Sequence, residues 1–280
     1  MTTERFDVRR PDGTVLAAER QAGRGGPTVV LLHAAVADRR AWAATLDLLD
    51  GDPLDLVAYD RRGYGDTAVG DAEFTHVDDL LAVLDAAGAD RAVLVGNSMG
   101  GALALDLALT APERVAAMLL IGAGASGMTD EGESIDWTPD QATGVLLEAL
   151  ERAEQAGLVE EQVLLELHIW LDGPTAPEGR VGGAPRALAA DMNRRILTAN
   201  GGRNLGDAGL DAWHRLGEIT APTLATWGDL DVPPDLPFYA LMAERLPNAE
   251  ARVLEGVAHL PMLERPGLVA DLIRETAALG

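Results

Sequence analysis

Residues 93–109, VLVGNSMGGALALDLAL, constrain the fold more than any other stretch of the chain. A run of branched apolar residues passes without a spacer into an alanine- and leucine-rich run. Gly96 and Gly100 stand two positions to either side of Ser98. A buried strand that turns directly into a helix brings two backbones close together. The residue at the apex is pushed toward positive φ, which strains any residue with a Cβ. Small neighbours relieve the crowding. The Ser98 hydroxyl then stands at the tip of the turn, beside a helix N-terminus whose amides favour negative charge. Gly96-Asn97-Ser98-Met99-Gly100 fits G-x-S-x-G, the nucleophile elbow, in its strand–turn–helix setting. The alternative is a structural turn with a serine N-cap. Serine is scarce, at positions 98, 126 and 134 only, and only Ser98 has this setting.

The same rhythm extends along the chain. Continuous apolar runs at 28–34, 54–60, 92–97 and 115–123 read as strands buried on both faces. Helical spacing lies between them at 41–49, 77–87 and 101–109. Upstream, RFDVRR and TVLAAERQ flank Pro11-Asp12-Gly13 and read as one hairpin. Between 126 and 217 no good strand appears. Helical stretches at 139–156, 159–171 and 185–199 are separated by Gly/Pro loops. Strands then resume at 223–229 and 251–256, with helices at 237–245 and 268–279. Strands alternating with helices predict a mostly parallel sheet covered on both faces. Because the strand pattern continues on both sides of the gap, we expect a core of 1–125 and 218–280 with 126–217 inserted. Two consecutive domains are the alternative.

Composition excludes several functions. The 280 residues carry a net charge of −23, which repels nucleic acid and anionic membranes. Every basic residue is arginine. Without cysteine there is no disulfide, thiolate catalysis or Cys-ligated metal. The polar N-terminus has no signal-peptide pattern, and no apolar run approaches the roughly 20 residues of a membrane span. A cytoplasmic protein without a cofactor or metal is expected, and a homodimer stays open.

A serine hydroxyl needs a general base, and the base needs a carboxylate. On parallel-sheet architecture these groups belong on loops at strand C-termini, in the order Ser, acid, His. Of the five histidines, His259 meets this condition, in GVAHLPMLERP after the last strand pattern. His33 ends a strand and is expected to be structural, hydrogen-bonded under the next loop. His76 starts a helix, where a solvated or capping role is expected. His168 and His214 lie in the insertion or its exit. Among acids, Asp231 in WGDLDVPP is favoured over Asp229, with Asp130 third.

Five segments together resemble the α/β-hydrolase superfamily: LLHAAVADRRAW, YDRRGYGDT, GNSMGGALAL, TWGDLDVPP and EGVAHLPMLERP. The resemblance covers nearly the whole chain. It implies an eight-stranded, mostly parallel sheet with an inserted helical cap and a triad of Ser98, Asp231 and His259. Gly228-Asp229-Leu230-Asp231 resembles the family's G-x-x-D, whose last residue is the acid. The implied oxyanion donors are the amides of Met99 and Ala35, with Ala34 as the lesser candidate. Ala34 replaces a frequent glycine in that loop, and Ala258 replaces one before the histidine. Asp60 to Gly65 resembles a D-x-R-G-x-G support, and Trp42 is expected behind the oxyanion loop.

The resemblance implies hydrolysis of a small-molecule ester or lactone. Carbon–carbon bond hydrolysis or cofactor-free perhydrolysis on the same triad is the alternative, and a ligand-binding receptor without turnover is the alternative of another class. GNSMGG is similar to elbows in hydrolases of ring-cleavage products, but the oxyanion loop lacks their Gly-Pro-Gly. Dehalogenases of this fold use aspartate as nucleophile, which Ser98 argues against. Candidate pocket walls are Ala34, Val36, Trp137, Trp170 and Met192. For the two tryptophans and Met192, packing inside the cap is the competing reading. Arg39-Arg40 and Arg194-Arg195 are candidate binders of a substrate carboxylate, with solvated surface charge as the competing reading.

Overall fold

The computed structural model describes residues 3–128, 135–199 and 209–280. Its strands are β1 (Glu4–Arg5), β2 (Val8–Arg9), β3 (Val15–Leu16), β4 (Ala18–Gln21), β5 (Thr28–Leu32), β6 (Asp55–Tyr59), β7 (Ala92–Asn97), β8 (Val115–Ile121), β9 (Thr223–Gly228) and β10 (Ala249–Leu254). Eight of them form one sheet in the order β1-β4-β6-β5-β7-β8-β9-β10. From β6 through β10 all neighbours are parallel. At the other edge, β4 runs antiparallel to β6, and β1 antiparallel to β4.

The N-terminal segments form the hairpin their pattern suggests. Across the Pro11-Asp12-Gly13 turn, β2 pairs with β3 and β1 with β4 in one antiparallel register. The chain breaks at Ala17, whose amide donates to Thr67 Oγ1 at 2.9 Å while its carbonyl accepts from Asp60 N. Beyond that break β4 joins the main sheet.

The apolar runs are continuous because each central strand is covered twice. Val30, Leu32 and Leu94 belong to one apolar cluster, and Val29, Leu31, Val93 and Val95 to the other. This is the period-2 alternation of a pleated strand. Each such side chain contributes about 1.5–3 kcal/mol by leaving water.

The helices are α1 (Ala43–Leu48), α2 (His76–Ala87), α3 (Met99–Thr110), α4 (Gln141–Gln155), α5 (Val159–Glu166), α6 (Gly183–Thr198), α7 (Ala212–Arg215), α8 (Leu236–Arg245), α9 (Pro261–Glu264) and α10 (Pro266–Ala277). Helices α2 and α3 cover the first cluster; α1 and α10 cover the second. Between β8 and β9, α5 and α6 send Val163, Ala189 and Met192 into the second cluster. The segment 159–171 is not one regular helix: after α5 the chain widens into a π-type turn over Leu167–Asp172. The end of the 126–217 stretch returns to the core, where Trp213 and Leu216 pack in the first cluster beside α3.

The strand order fixes where a site can form. From β5 the chain moves outward to β6 and returns on the other side of β5 as β7. The crevice at the C-terminal ends of β5 and β7 is therefore the sheet's topological switch point, where open α/β sheets bind ligands.

Candidate active site

Ser98 joins β7 to α3 at that crevice, with φ 56° and ψ −119°. Among the described residues, only Ser98 and Asp211 combine a side chain with positive φ. The glycines have the role the sequence implies. A Cβ on Gly96 would lie 2.5 Å from the Gly100 carbonyl oxygen, and one on Gly100 would overlap the Leu32 carbonyl of β5. The strained turn is pinned from β8: Ser98 N donates to Ile121 O at 3.0 Å, and Gly124 N to Ser98 O at 3.3 Å.

His259 and Asp231 meet as a buried pair. His259 Nδ1 donates to Asp231 Oδ2 at 2.8 Å, while Asp231 Oδ1 accepts from Val232 N at 2.8 Å. Burial alone would depress the imidazole pKa. The Asp231 carboxylate outweighs it through charge and hydrogen bonding, and Asp235 adds to the effect, so the pKa is raised. Gly122, at the end of β8, makes room for the pair: a Cβ there would lie 3.0 Å from Asp231 Oδ2 and 3.1 Å from His259 Nδ1.

The elbow and the histidine loop are also tied through main chain. Asn97 Nδ2, on the residue before Ser98, donates to His259 O at 2.9 Å and to Ile121 O at 2.9 Å. Asp229, the rival acid, points elsewhere: its carboxylate accepts from Gly256 N at 2.7 Å and supports the same loop from below. Asp130 lies outside the described residues.

The loop after β5 is built around His33. Arg61 N donates to His33 Nε2 at 3.1 Å, so Nδ1 carries the proton and donates to Ala34 O at 2.8 Å. Burial first, then the Arg61 guanidinium, hold this imidazole well below its ordinary pKa. The turn closes with Ala37 N on Ala34 O at 3.3 Å, leaving Ala35 and Val36 half-buried at its corner. Ala34 faces inward and shares an apolar cluster with Trp42, as expected for packing behind the loop. Asp60 holds the next segment, accepting from Arg39 N and Asp66 N at 2.8 Å each. Burial pushes its carboxyl up to about 6 despite the Arg39 guanidinium, with Asp38 adding to the rise.

The arginines of both pairs are engaged by carboxylates of the chain, Arg39 and Arg40 partly buried and Arg194 and Arg195 more exposed. Arg39 is spent on Asp60, Glu19 and Asp66, and Arg40 on Asp38 and Asp191. Arg194 pairs with Glu160 and Arg195 with Asp66. The surrounding excess of carboxylates claims them. His76 is corrected: it is buried at the start of α2 with its ring 5.4 Å from that of Phe74. His168 binds Ala176 O, and the exposed His214 binds Asp211.

Of the pocket candidates, Trp170 reaches the pair directly: its ring lies 4.9 Å from that of His259 at 50°. Trp137 donates from Nε1 to Asp235 Oδ1 at 2.6 Å. Burial raises the Asp235 pKa; the Trp137 bond opposes this and Asp231 reinforces it. Met192 is buried in the second apolar cluster. Sequence reasoning missed Asn97, Gly122, Asp235 and Tyr239, whose hydroxyl is pushed well above its ordinary pKa by burial and then by Asp231 and Asp235. Among the described residues, no group of three or more His, Asp or Glu is arranged to hold a metal, and no helix is long and apolar enough to cross a membrane.

Strand order, elbow and buried pair define an α/β hydrolase, and comparison with known proteins agrees. Residues 29–272 match the model of the alpha/beta hydrolase family, and the chain belongs to that family. It is 31% identical over 267 residues to a 2-hydroxy-6-oxononadienedioate/2-hydroxy-6-oxononatrienedioate hydrolase of Burkholderia vietnamiensis, covering 89% of this chain and 86% of that one. A solved N-acyl homoserine lactone degrading enzyme, Est816, superposes with a TM-score of 0.71 at 27% identity, covering 96% of this chain and 99% of that one. A thermophilic esterase from Thermogutta terrifontis has the same fold, with a TM-score of 0.71 at 24% identity, covering 98% and 97%. The protein is a hydrolase acting on a small-molecule substrate.

Proposed function

We propose that this chain cleaves an ester or lactone through an acyl-enzyme on Ser98. The observation that carries the reading is the buried His259–Asp231 pair, tied through Asn97 to the strained turn that presents Ser98. Ser98 Oγ adds to the carbonyl carbon as its proton passes to His259 Nε2. Asp231 stays ionised and holds the imidazole by Nδ1. The amides of Met99, at the start of α3, and of Ala35 receive the oxyanion, each worth about 10²–10³ in rate. His259 then protonates the alkoxide as the carbon–oxygen bond breaks. For a lactone, that alkoxide remains tethered to the acyl group. Water repeats the sequence, releasing the acid and restoring the serine.

Helices α4 to α6 form the cap in this reading, narrower than the 126–217 division because Trp213 and Leu216 pack with the core. Trp170 contributes its wall over the histidine, with Val36 at the rim of the oxyanion loop. Ser98→Ala should abolish hydrolysis of p-nitrophenyl butyrate and labelling by a phosphonate. Turnover retained in that variant refutes the assignment.

Carbon–carbon hydrolysis is the second reading, favoured by the 31% identity to the Burkholderia enzyme. Such a substrate carries two carboxylates. The arginines at 39, 40, 194 and 195 are engaged by carboxylates of the chain, and Asp235 adds negative charge beside the pair. This supports a neutral ester or lactone. Turnover of a vinylogous diketone dicarboxylate faster than of neutral esters would reverse the preference.

A further inference from the structure

The loop that carries His259 is gripped at several points, and two grips belong to a pair outside the triad. Glu264, in α9, accepts from Ala258 N at 2.8 Å, one residue before the histidine. Its other oxygen accepts from Arg180 Nη2 at 2.5 Å. Arg180 comes from the long segment between β8 and β9. The same guanidinium donates to Leu171 O at 3.0 Å, to Asp172 O at 2.6 Å and to Gly256 O at 3.2 Å. One side chain thus joins three things: the end of the π-type turn that carries Trp170, the start of the histidine loop, and the carboxylate that holds the middle of that loop.

The pair is built rather than incidental. The Glu264 side chain is 3% exposed and that of Arg180 is 23% exposed. Nearby, the buried Asp172 carboxylate accepts from Gly179 N at 2.8 Å, Val181 N at 2.9 Å and Arg186 Nη1 at 2.7 Å, which fixes the segment presenting Arg180. The close approach continues at Gly173, where a Cβ would overlap the Leu230 carbonyl of the acid loop. Burial holds Glu264 up at about 7 even with the Ala258 amide and Arg180 bound, Asp172 adding to the rise, so its ionised form depends on the cation staying in place.

We propose that Glu264 and Arg180 are positioning residues for His259, which make its alignment conditional on the seating of the segment that carries Trp170. This rests on His259 being the general base. Glu264 fixes the loop main chain beside the imidazole. Arg180 favours the ionised form of Glu264 against burial and locks the Trp170 turn to the same loop. Neither side chain touches the reacting atoms. If the segment lifts, the loop loses the Arg180 bond to Gly256 O and Glu264 loses its cation, while Asn97, Asp229 and Asp231 remain.

The test compares Glu264→Ala, Glu264→Gln and Arg180→Gln with wild type, using p-nitrophenyl ester kinetics, thermal melting and the low-field proton resonance of the His259 Nδ1–H bond. Glutamine at 264 keeps an acceptor for the Ala258 amide; alanine does not. Expected for Glu264→Ala is a fall in kcat of about 10- to 100-fold, the scale of a misplacement near 1 Å, with KM changed little and the low-field resonance broadened or lost. Glu264→Gln should recover most of kcat. Arg180→Gln should lower kcat and raise KM together, because Trp170 also loses its anchor. If Glu264→Ala melts cooperatively and keeps wild-type kcat and resonance, the proposal is overturned. It is also overturned if glutamine performs no better than alanine. Should Glu264→Ala not fold, the glutamine and arginine variants decide by the same criteria, and wild-type behaviour in both rejects the idea. Wild-type protein without Ser98-dependent turnover would instead sink the hydrolytic reading; the resonance, present in wild type and lost on Glu264→Ala, would then test the positioning by itself.

Discussion

Two loops at strand C-termini each carry a buried histidine, and they hold it in opposite electrostatic settings. After β5, His33 is bound at both nitrogens by main chain: a donor at Nε2 and an acceptor at Nδ1. Burial and the Arg61 guanidinium keep it neutral. After β10, His259 faces the Asp231 carboxylate, which raises its proton affinity in spite of burial. The rings are comparably hidden, 1% and 5% exposed. Burial therefore does not decide whether an imidazole is a strut or a base. The charge of its partner does.

The largest effects should separate the two residues cleanly. In the proposed mechanism His259→Ala removes the proton acceptor and should lower kcat by about 10⁴- to 10⁶-fold. His33→Ala should cost far less in kcat per folded molecule. Similar losses in single-turnover assays would break the contrast. Asp231→Asn comes next, at about 10⁴-fold, by favouring the wrong tautomer.

The pH dependence sharpens the comparison because the two shifts have opposite signs. In the proposed mechanism His259 must be neutral to accept the Ser98 proton. With its pKa raised, the acid limb of kcat/KM should fall above pH 6.5, and Asp231→Asn should move the residual limb to lower pH. In stability terms, a raised folded pKa contributes stability below the unfolded value near 6.5 that is lost as pH rises through the folded value. His33 behaves in reverse. Its depressed folded pKa leaves the unfolded chain binding more protons below pH 6.5, so stability falls as pH drops through that window. Denaturant titrations from pH 7 downward should show a shallower decline in His33→Ala than in wild type. An unchanged slope would mean that His33 already takes up its proton in the folded state.

The sheet and the elbow were legible because their constraints are local. A strand covered on both faces must be apolar throughout, and a strand turning straight into a helix must place small residues at fixed offsets from Ser98. The expectation for His33 had the same local origin, since the residue ends a buried strand. Partners supplied from far along the chain were not legible. Nothing in the sequence near Asn97 reveals that its amide will hold the carbonyl of His259, and nothing near Arg39 reveals Glu19, Asp60 and Asp66 around it. His76 looked exposed because it opens a helix, yet tertiary packing buries it. In the segment between β8 and β9, Trp137, Trp170 and Met192 satisfy pocket and packing readings equally by pattern. Only the contact of Trp170 with His259 separates them.

The smallest effect tests the structural half of the comparison. In His33→Ala the Arg61 amide loses its acceptor while remaining buried, and an orphaned buried donor costs about 1–3 kcal/mol. The ring also packs 4.9 Å from Tyr64, which in turn stacks under the Arg61 guanidinium at 4.7 Å, so the loss should sit at the upper end of that range. For a chain of this size each kcal/mol lowers Tm by about 2–4 °C. His33→Asn is the discriminating partner, because its shorter side chain keeps a polar group that can reach one of the two main-chain positions. It should recover part of the lost Tm, and with it the geometry of the Ala34–Ala35 turn. If asparagine and alanine melt alike, the ring's packing rather than its two hydrogen bonds is what holds the loop.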